Sequence, residues 1–148
     1  MATLDFRSSV NALNQLLIIH YRSLPMYLVE ATPWTHRGDA KATEVLLDIV
    51  SDQQRTCQRI ADQVNQEGGI VDMGDYPSQF AEMNFLSLDF LLKRVAEYQQ
   101  RDVDTIRGIV EQLSGNLTAQ VLAKESLGAA QGHLKSFEEL TAEICNDG

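Results

Sequence analysis

The chain has 148 residues, of which 44% are hydrophobic and 22% charged, and its formal net charge is −9. These values are typical of one globular domain and exclude a fibrous or disordered chain. Lys and Arg form no stripe, which argues against a nucleic-acid surface, and no apolar run is long enough to span a membrane. Because MATLDFRSSV contains no apolar secretory segment, we predict a cytoplasmic protein.

The first half of the chain contains two helical patterns. Apolar or inward-capable side chains recur every three or four residues, which predicts bundle helices over residues 5–32 and 39–67. Pro25 should kink the first helix, and Gly68-Gly69 should stop the second. The predicted inward residues are Val10, Leu13, Leu17, His20, Leu24, Tyr27 and Ala31, then Leu46, Ile49, Val50, Gln53, Cys57, Ile60 and Val64.

The second half contains two more patterns, over residues 82–113 and 117–145. The link from the second helix to the third, GGIVDMGDYPSQF, has no helical period, and fully extended it would cover roughly 43 Å, about one bundle length. A bundle with one such crossover has the ferritin-like arrangement. We therefore predict an all-α fold, a ferritin-like four-helix bundle with one long crossover between helices 2 and 3, forming a single domain over residues 1–148.

Three segments carry a resemblance to a known class of proteins. LNQLLIIHYRSLPMYLVEA, which contains Tyr27, resembles a bacterioferritin first helix, and DQQRTCQRIADQVNQEGG resembles the second helix with its Gly-Gly stop. SLGAAQGHLKSFEEL resembles the fourth helix. The chain is thus similar, over nearly its whole length, to the ferritin-like superfamily of the bacterioferritin and rubrerythrin type.

The resemblance implies positions for the ligands of two iron ions. Members of this class bind the metal with one Glu from each of two helices and a Glu-x-x-His from each of the other two. The first Glu position falls on His20 in this chain. The helix 2 pair falls on Gln53 and Thr56, and the helix 4 pair falls on Ala130 and His133. Only His133 keeps the residue type of a ligand.

The third helix offers two residues for the remaining ligand position. A count backward from His133 reaches Glu97, whereas helical phase places Gln99 near the centre of the apolar face and Glu97 nearly opposite to it. We predict that Gln99 faces the core. The core level that would hold iron then contains His20, Gln53, Gln99 and His133, which we call the polar layer, with Ser126 and Thr56 nearby. Neutral amides and imidazoles can satisfy one another by hydrogen bonds.

These expectations favour a non-enzymatic protein that binds or assembles through its outer helix faces. We predict a homodimer, no nucleic-acid or membrane partner, and no resident cofactor; the resemblance alone suggests the dimer. The alternative is an iron-binding or oxidoreductase protein with an altered site, in which iron or zinc is held by His20, His133 and Glu97.

Two further features have simple structural interpretations. Small side chains at Ala129, Ala130 and Gly132 leave room for a ligand pocket or, equally, allow close helix packing. Cys57 falls on an apolar helix face, which predicts a buried and unreactive thiol.

Overall fold

A computed structural model describes residues 2–30, 40–83 and 86–147. These residues form an all-α structure, and no strand occurs within the described ranges. The helices are α1 (Ala2–Tyr21), α2 (Leu24–Glu30), α3 (Ala40–Gln66), a short 3-10 helix (Ser78–Met83), α4 (Leu88–Gln112) and α5 (Leu117–Asp147). No helix among them is both long enough and apolar enough to cross a lipid bilayer.

The first predicted helix is two helices, so the prediction of a kinked but continuous helix at Pro25 was wrong. The chain leaves helical geometry at Arg22 and Ser23 and then begins α2. Ser23 caps the new helix, because its Oγ accepts a bond from the Met26 amide at 3.3 Å and its carbonyl accepts from the Tyr27 amide at 3.0 Å. The predicted end of this segment near residue 32 lies outside the described residues.

Helix α3 agrees closely with its predicted pattern. All seven predicted inward residues are buried. The stop at Gly68 is also confirmed, since this residue has a φ of 78° and the Gly69 amide reaches back to the Val64 carbonyl at 2.9 Å. A Cβ on Gly69 would lie 2.6 Å from Val10 Cγ1, so the chain turns directly against α1.

Helix α4 begins later than predicted, at Leu88 instead of residue 82. Ser87 is its N-cap, and the Ser87 Oγ accepts a bond from the Phe90 amide at 3.3 Å. The preceding residues 82 and 83 belong to the 3-10 helix. The start of α4 is therefore set by the Ser87 cap and the good helix former Leu88 after it. The spacing of apolar residues does not indicate this start.

Side-chain pairs fix the direction of α5 relative to α3. Lys41 at the start of α3 contacts Glu143 near the end of α5, with Nζ and Oε2 3.1 Å apart. Arg59 contacts Glu125 at 2.6 Å, and Glu67, just past the end of α3, accepts a bond from Asn116 before α5 at 2.8 Å. The two helices are therefore antiparallel along their whole length.

The segment between α3 and α4 is described over residues 67–83 and 86–87, and its first part runs along α1 from Val10 towards α2. It leaves α3 beside Val10 and later places Tyr76 and Phe80 against Tyr27, with ring centroids 5.1 and 5.5 Å from that tyrosine. Tyr76 and Phe80 therefore cover an apolar side of the bundle at Tyr27. We call this segment the crossover.

Arg22, in the break between α1 and α2, holds the crossover. Its Nε donates to the carbonyls of Met73 and Gly74, at 3.0 and 3.1 Å. Its guanidinium carbon lies 4.5 Å from the ring centroid of Tyr21 and 4.7 Å from that of Tyr76. Gly74 itself has a φ of 60°, and an added Cβ there would lie only 3.0 Å from an Ile18 side-chain carbon. The crossover therefore packs tightly on α1 at this residue.

Candidate functional site

The polar layer lies at the last turn of α1 and near the middle of α3, α4 and α5, and three of its four residues are buried. His20 of α1, Gln53 of α3 and Gln99 of α4 are 4%, 2% and 2% exposed. The side chain of His133 in α5 is 12% exposed, so this residue lies at the border of the core and not wholly within it. The α5 residues that face inward at this level are Ala130 and Leu134, and His133 lies beside them at the edge facing α3.

The choice between Glu97 and Gln99 is resolved by burial. Gln99 is buried and Glu97 is exposed. The two residues are separated by about 200° around α4, which places them on nearly opposite faces. The helical phase therefore predicted the inward residue correctly, and no carboxylate enters the polar layer from α4.

Each buried amide of the polar layer makes one recorded hydrogen bond. The Gln53 Oε1 accepts a bond from Ser23 Oγ at 3.0 Å, which joins α3 to the cap of α2. The Gln99 Nε2 donates to the Ala130 carbonyl at 3.0 Å, which joins α4 to α5. A hydroxyl group and a backbone carbonyl thus form hydrogen bonds with the two glutamines. In the class that the sequence resembles, carboxylates that bind a metal occupy such positions.

Two buried polar atoms of the polar layer have no hydrogen-bond partner among the described residues. They are Nε2 of His20 and Oε1 of Gln99. Burial, and secondly the nearby His133, lower the pKa of His20 to about 4. His20 is consequently a neutral imidazole at neutral pH, and the three buried residues His20, Gln53 and Gln99 carry no formal charge.

Asp52 contacts the polar layer and was missed by the sequence analysis. Its Oδ2 lies 3.2 Å from His133 Nε2, and its Oδ1 also accepts a bond from Arg55. Burial acts to raise the pKa of Asp52, but the hydrogen bonds with His133 and Arg55 outweigh burial and leave that pKa below its ordinary value. No periodic signal marks Asp52, because it lies beside the inward face of α3 and meets His133 only through the register of α3 and α5.

The remaining predicted positions do not join the polar layer. Thr56 is half-buried, and Ser126 donates its hydroxyl to the Ala123 carbonyl of its own helix at 2.9 Å. Ala130 is 1% exposed and contributes only its carbonyl. Gly132 is exposed, and an added Cβ there would meet nothing within 4 Å, so it lines no gap between helices.

The residues present do not fit a centre of two iron ions. Among the residues whose side chains the structure describes, no group of three or more His, Cys, Asp or Glu is arranged to hold a metal ion. Two iron ions need several anionic oxygens to balance their charge in a buried site. Here the carboxylate nearest to the layer is Asp52, whose side chain is 45% exposed.

Cys57 lies on the inward face of α3, as predicted, and is buried. Burial, and secondly the carboxylate of Glu30, raise the pKa of its thiol to about 12. The thiol is therefore protonated at neutral pH and a weak nucleophile.

Comparison with family models, with curated proteins and with solved structures found no match for this chain.

The Ser23–Gln53 bond allows a direct test of the hydrogen bonding in the layer. We expect Ser23→Ala to lower the free energy of unfolding by about 2 kcal/mol, because it removes the cap of α2 and leaves the Gln53 Oε1 unpaired. Urea denaturation followed by circular dichroism measures the change. The control is Ser136→Ala, which removes a hydroxyl bonded only within α5 and should stay within about 0.5 kcal/mol of the parent. Equal stabilities for both variants would contradict the role of Ser23.

Proposed function

We propose that this chain is a ferritin-like bundle protein in which neutral hydrogen-bonding side chains have replaced the di-iron centre, and that it acts by binding or assembly. The observation that carries the proposal is the polar layer itself, in which a neutral His20 and two hydrogen-bonded glutamines lie at the positions that the resemblance assigns to metal ligands. Glutamine has the shape of glutamate without its charge, so it fills the same space and does not attract a cation.

The ferritin-like assignment is supported by helix directions and by the crossover. Helix α5 is antiparallel to α3, and the crossover connects α3 to α4 along the side of α1 and α2. One long connection of this kind separates the ferritin-like arrangement from a simple up-and-down bundle. The sequence segments that resemble bacterioferritin fall on α1 with α2, on α3 and on α5, in the matching order.

The surface of α5 supports a role in assembly. Leu117 and Val121 are one helical turn apart, and they are 73% and 46% exposed. We propose a homodimer with twofold symmetry, in a cytoplasmic setting, as the working form. Sedimentation equilibrium of the purified chain tests this part separately, since a mass equal to one chain at all concentrations contradicts it.

A second candidate function is supported by the His133–Asp52 pair. An altered mononuclear site for zinc or iron would use His20, His133 and the anionic oxygen of Asp52. Glu97 drops out of this alternative, because its side chain is exposed on the opposite face of α4. The non-enzymatic proposal is favoured, since His20 and His133 join no metal-holding group of three among the described residues.

Aerobic addition of ferrous iron tests the proposed function. We expect iron to oxidise at the same rate with the protein as in buffer alone, and elemental analysis of the protein as purified to find no stoichiometric iron or zinc. Faster oxidation that His20→Gln or His133→Gln abolishes, and that Glu97→Gln leaves intact, would overturn the proposal in favour of the altered metal site.

A further inference from the structure

A cavity of about 200 Å³ lies between the end of α1, the middle of α4 and the crossover. Its walls are mainly apolar: Ile18 and Leu24 come from one side, Pro77 and Phe80 from another. Phe80 and Tyr98 of α4 both line it, with ring centroids 5.5 Å apart and the rings nearly perpendicular. This volume is below the usual range of drug-sized pockets and suits a molecule with on the order of ten non-hydrogen atoms.

The cavity contains a carboxyl group that pairs with none of the described residues. Asp102 of α4 lines it one helical turn beyond Tyr98, and no hydrogen bond or ion pair of this carboxyl is recorded with any described residue. Burial alone raises the pKa of Asp102 to about 7. A mostly buried carboxylate without a counter-charge is unfavourable, so it provides a strong attraction for a cation that can reach it.

The other charged groups of the cavity do not neutralise Asp102. Arg22, in the break between α1 and α2, lines the cavity, but its Nε donates to two crossover carbonyls and its guanidinium lies against two tyrosine rings. Asp75 from the crossover adds a second carboxylate to the lining. With Asp102 ionised, one cation and two anions line the cavity, and the balance is one negative charge.

We propose that this cavity binds a small monocationic amine, whose ammonium group pairs with Asp102 and whose apolar body contacts the rings of Phe80 and Tyr98. A carboxylate beside aromatic faces is the combination that recognises such a cation, because both the charge and the ring electrons attract it. The inference does not depend on the absence of a metal centre, since none of the polar-layer residues lines the cavity.

Benzylamine and benzyl alcohol, which have nearly the same size and differ in charge, form the test pair. At pH 8 we expect calorimetry on the intact protein to give a dissociation constant at least tenfold lower for benzylamine. The preference should fall about tenfold at pH 6, where Asp102 takes up a proton while the amine stays charged. Tyr98, Asp75 and Arg22 are the other titratable groups facing the cavity.

Two variants separate the cavity from general charge attraction. Asp102→Asn should abolish the preference for the amine. Asp104→Asn removes an exposed carboxylate of the same helix, one that is paired with Arg107, and should leave the preference unchanged. Undetectable benzylamine binding at pH 8, equal affinities for the two probes, or an equal effect of both variants would overturn the proposal.

Discussion

Asp102→Asn is expected to raise the free energy of unfolding by as much as about 4 kcal/mol at pH 8, an unusual gain for the removal of one charge. The reason is the burial of this carboxyl, which raises its pKa to about 7 from an ordinary value of 3.8. Between these two values the unfolded chain releases the proton and the folded chain keeps it. The folded state therefore loses stability as pH rises from about 4 to about 7.

The pH dependence distinguishes this effect from a change in packing. The parent loses stability as pH rises, so the difference in free energy of unfolding between Asp102→Asn and the parent depends on pH. It should be about 2 kcal/mol at pH 5.5 and smaller at lower pH. Urea denaturation of parent and variant at both pH values measures it. Asp104→Asn, on the exposed face, should change the free energy of unfolding by less than about 0.5 kcal/mol at either pH. A constant advantage across this range would contradict an ionisation effect.

Removing the imidazole of His20 is expected to make the protein more resistant to acid. The pKa of His20 in the folded protein is about 4, compared with 6.5 in an exposed histidine. Below pH 6.5 His20 is protonated in the unfolded chain and stays neutral in the folded chain. The free energy of unfolding therefore falls by about 3 kcal/mol between pH 6.5 and pH 4. His20→Gln keeps a polar side chain at this position without a titrating group. The part of the acid-induced loss of stability that His20 causes should therefore disappear in this variant.

The measurement compares the free energy of unfolding of His20→Gln and of the parent at pH 7 and at pH 4.5. The difference should move by about 2–3 kcal/mol in favour of the variant at the lower pH. The comparison isolates His20, because the contribution of Asp102 is common to both proteins. An imidazole NMR titration of His20 with a midpoint near 6.5 would contradict the burial argument.

Helix periodicity predicted the buried faces well, because each face reports a local repeat. Gln53, Cys57 and Gln99 were placed inward from spacing alone, and all three are buried. The same spacing concealed the break at Ser23, since the stripe continues from His20 to Leu24 and Tyr27 across it. A proline in the first turn of a new helix and a proline that kinks a continuous one produce the same pattern.

The two acidic residues of interest could not be predicted, because each depends on contacts between distant segments. Asp52 lies at the edge of the inward face of α3, and its contact with His133 exists only because α5 packs beside α3 in this register. Asp102 lies next to the predicted apolar stripe of α4 and lines a cavity whose other wall comes from the crossover. The path of the crossover has no helical period, so nothing in the local sequence indicates what it covers.

The most direct test of the account is anomalous diffraction at the iron absorption edge, from crystals soaked in ferrous iron without oxygen. In the proposed function, His20 is uncharged, and Gln53 and Gln99 form hydrogen bonds with Ser23 and Ala130 and bind no metal. We therefore expect no anomalous peak among these side chains. A peak within bonding distance of His20 or His133, and above all two peaks between α1 and α5, would contradict it.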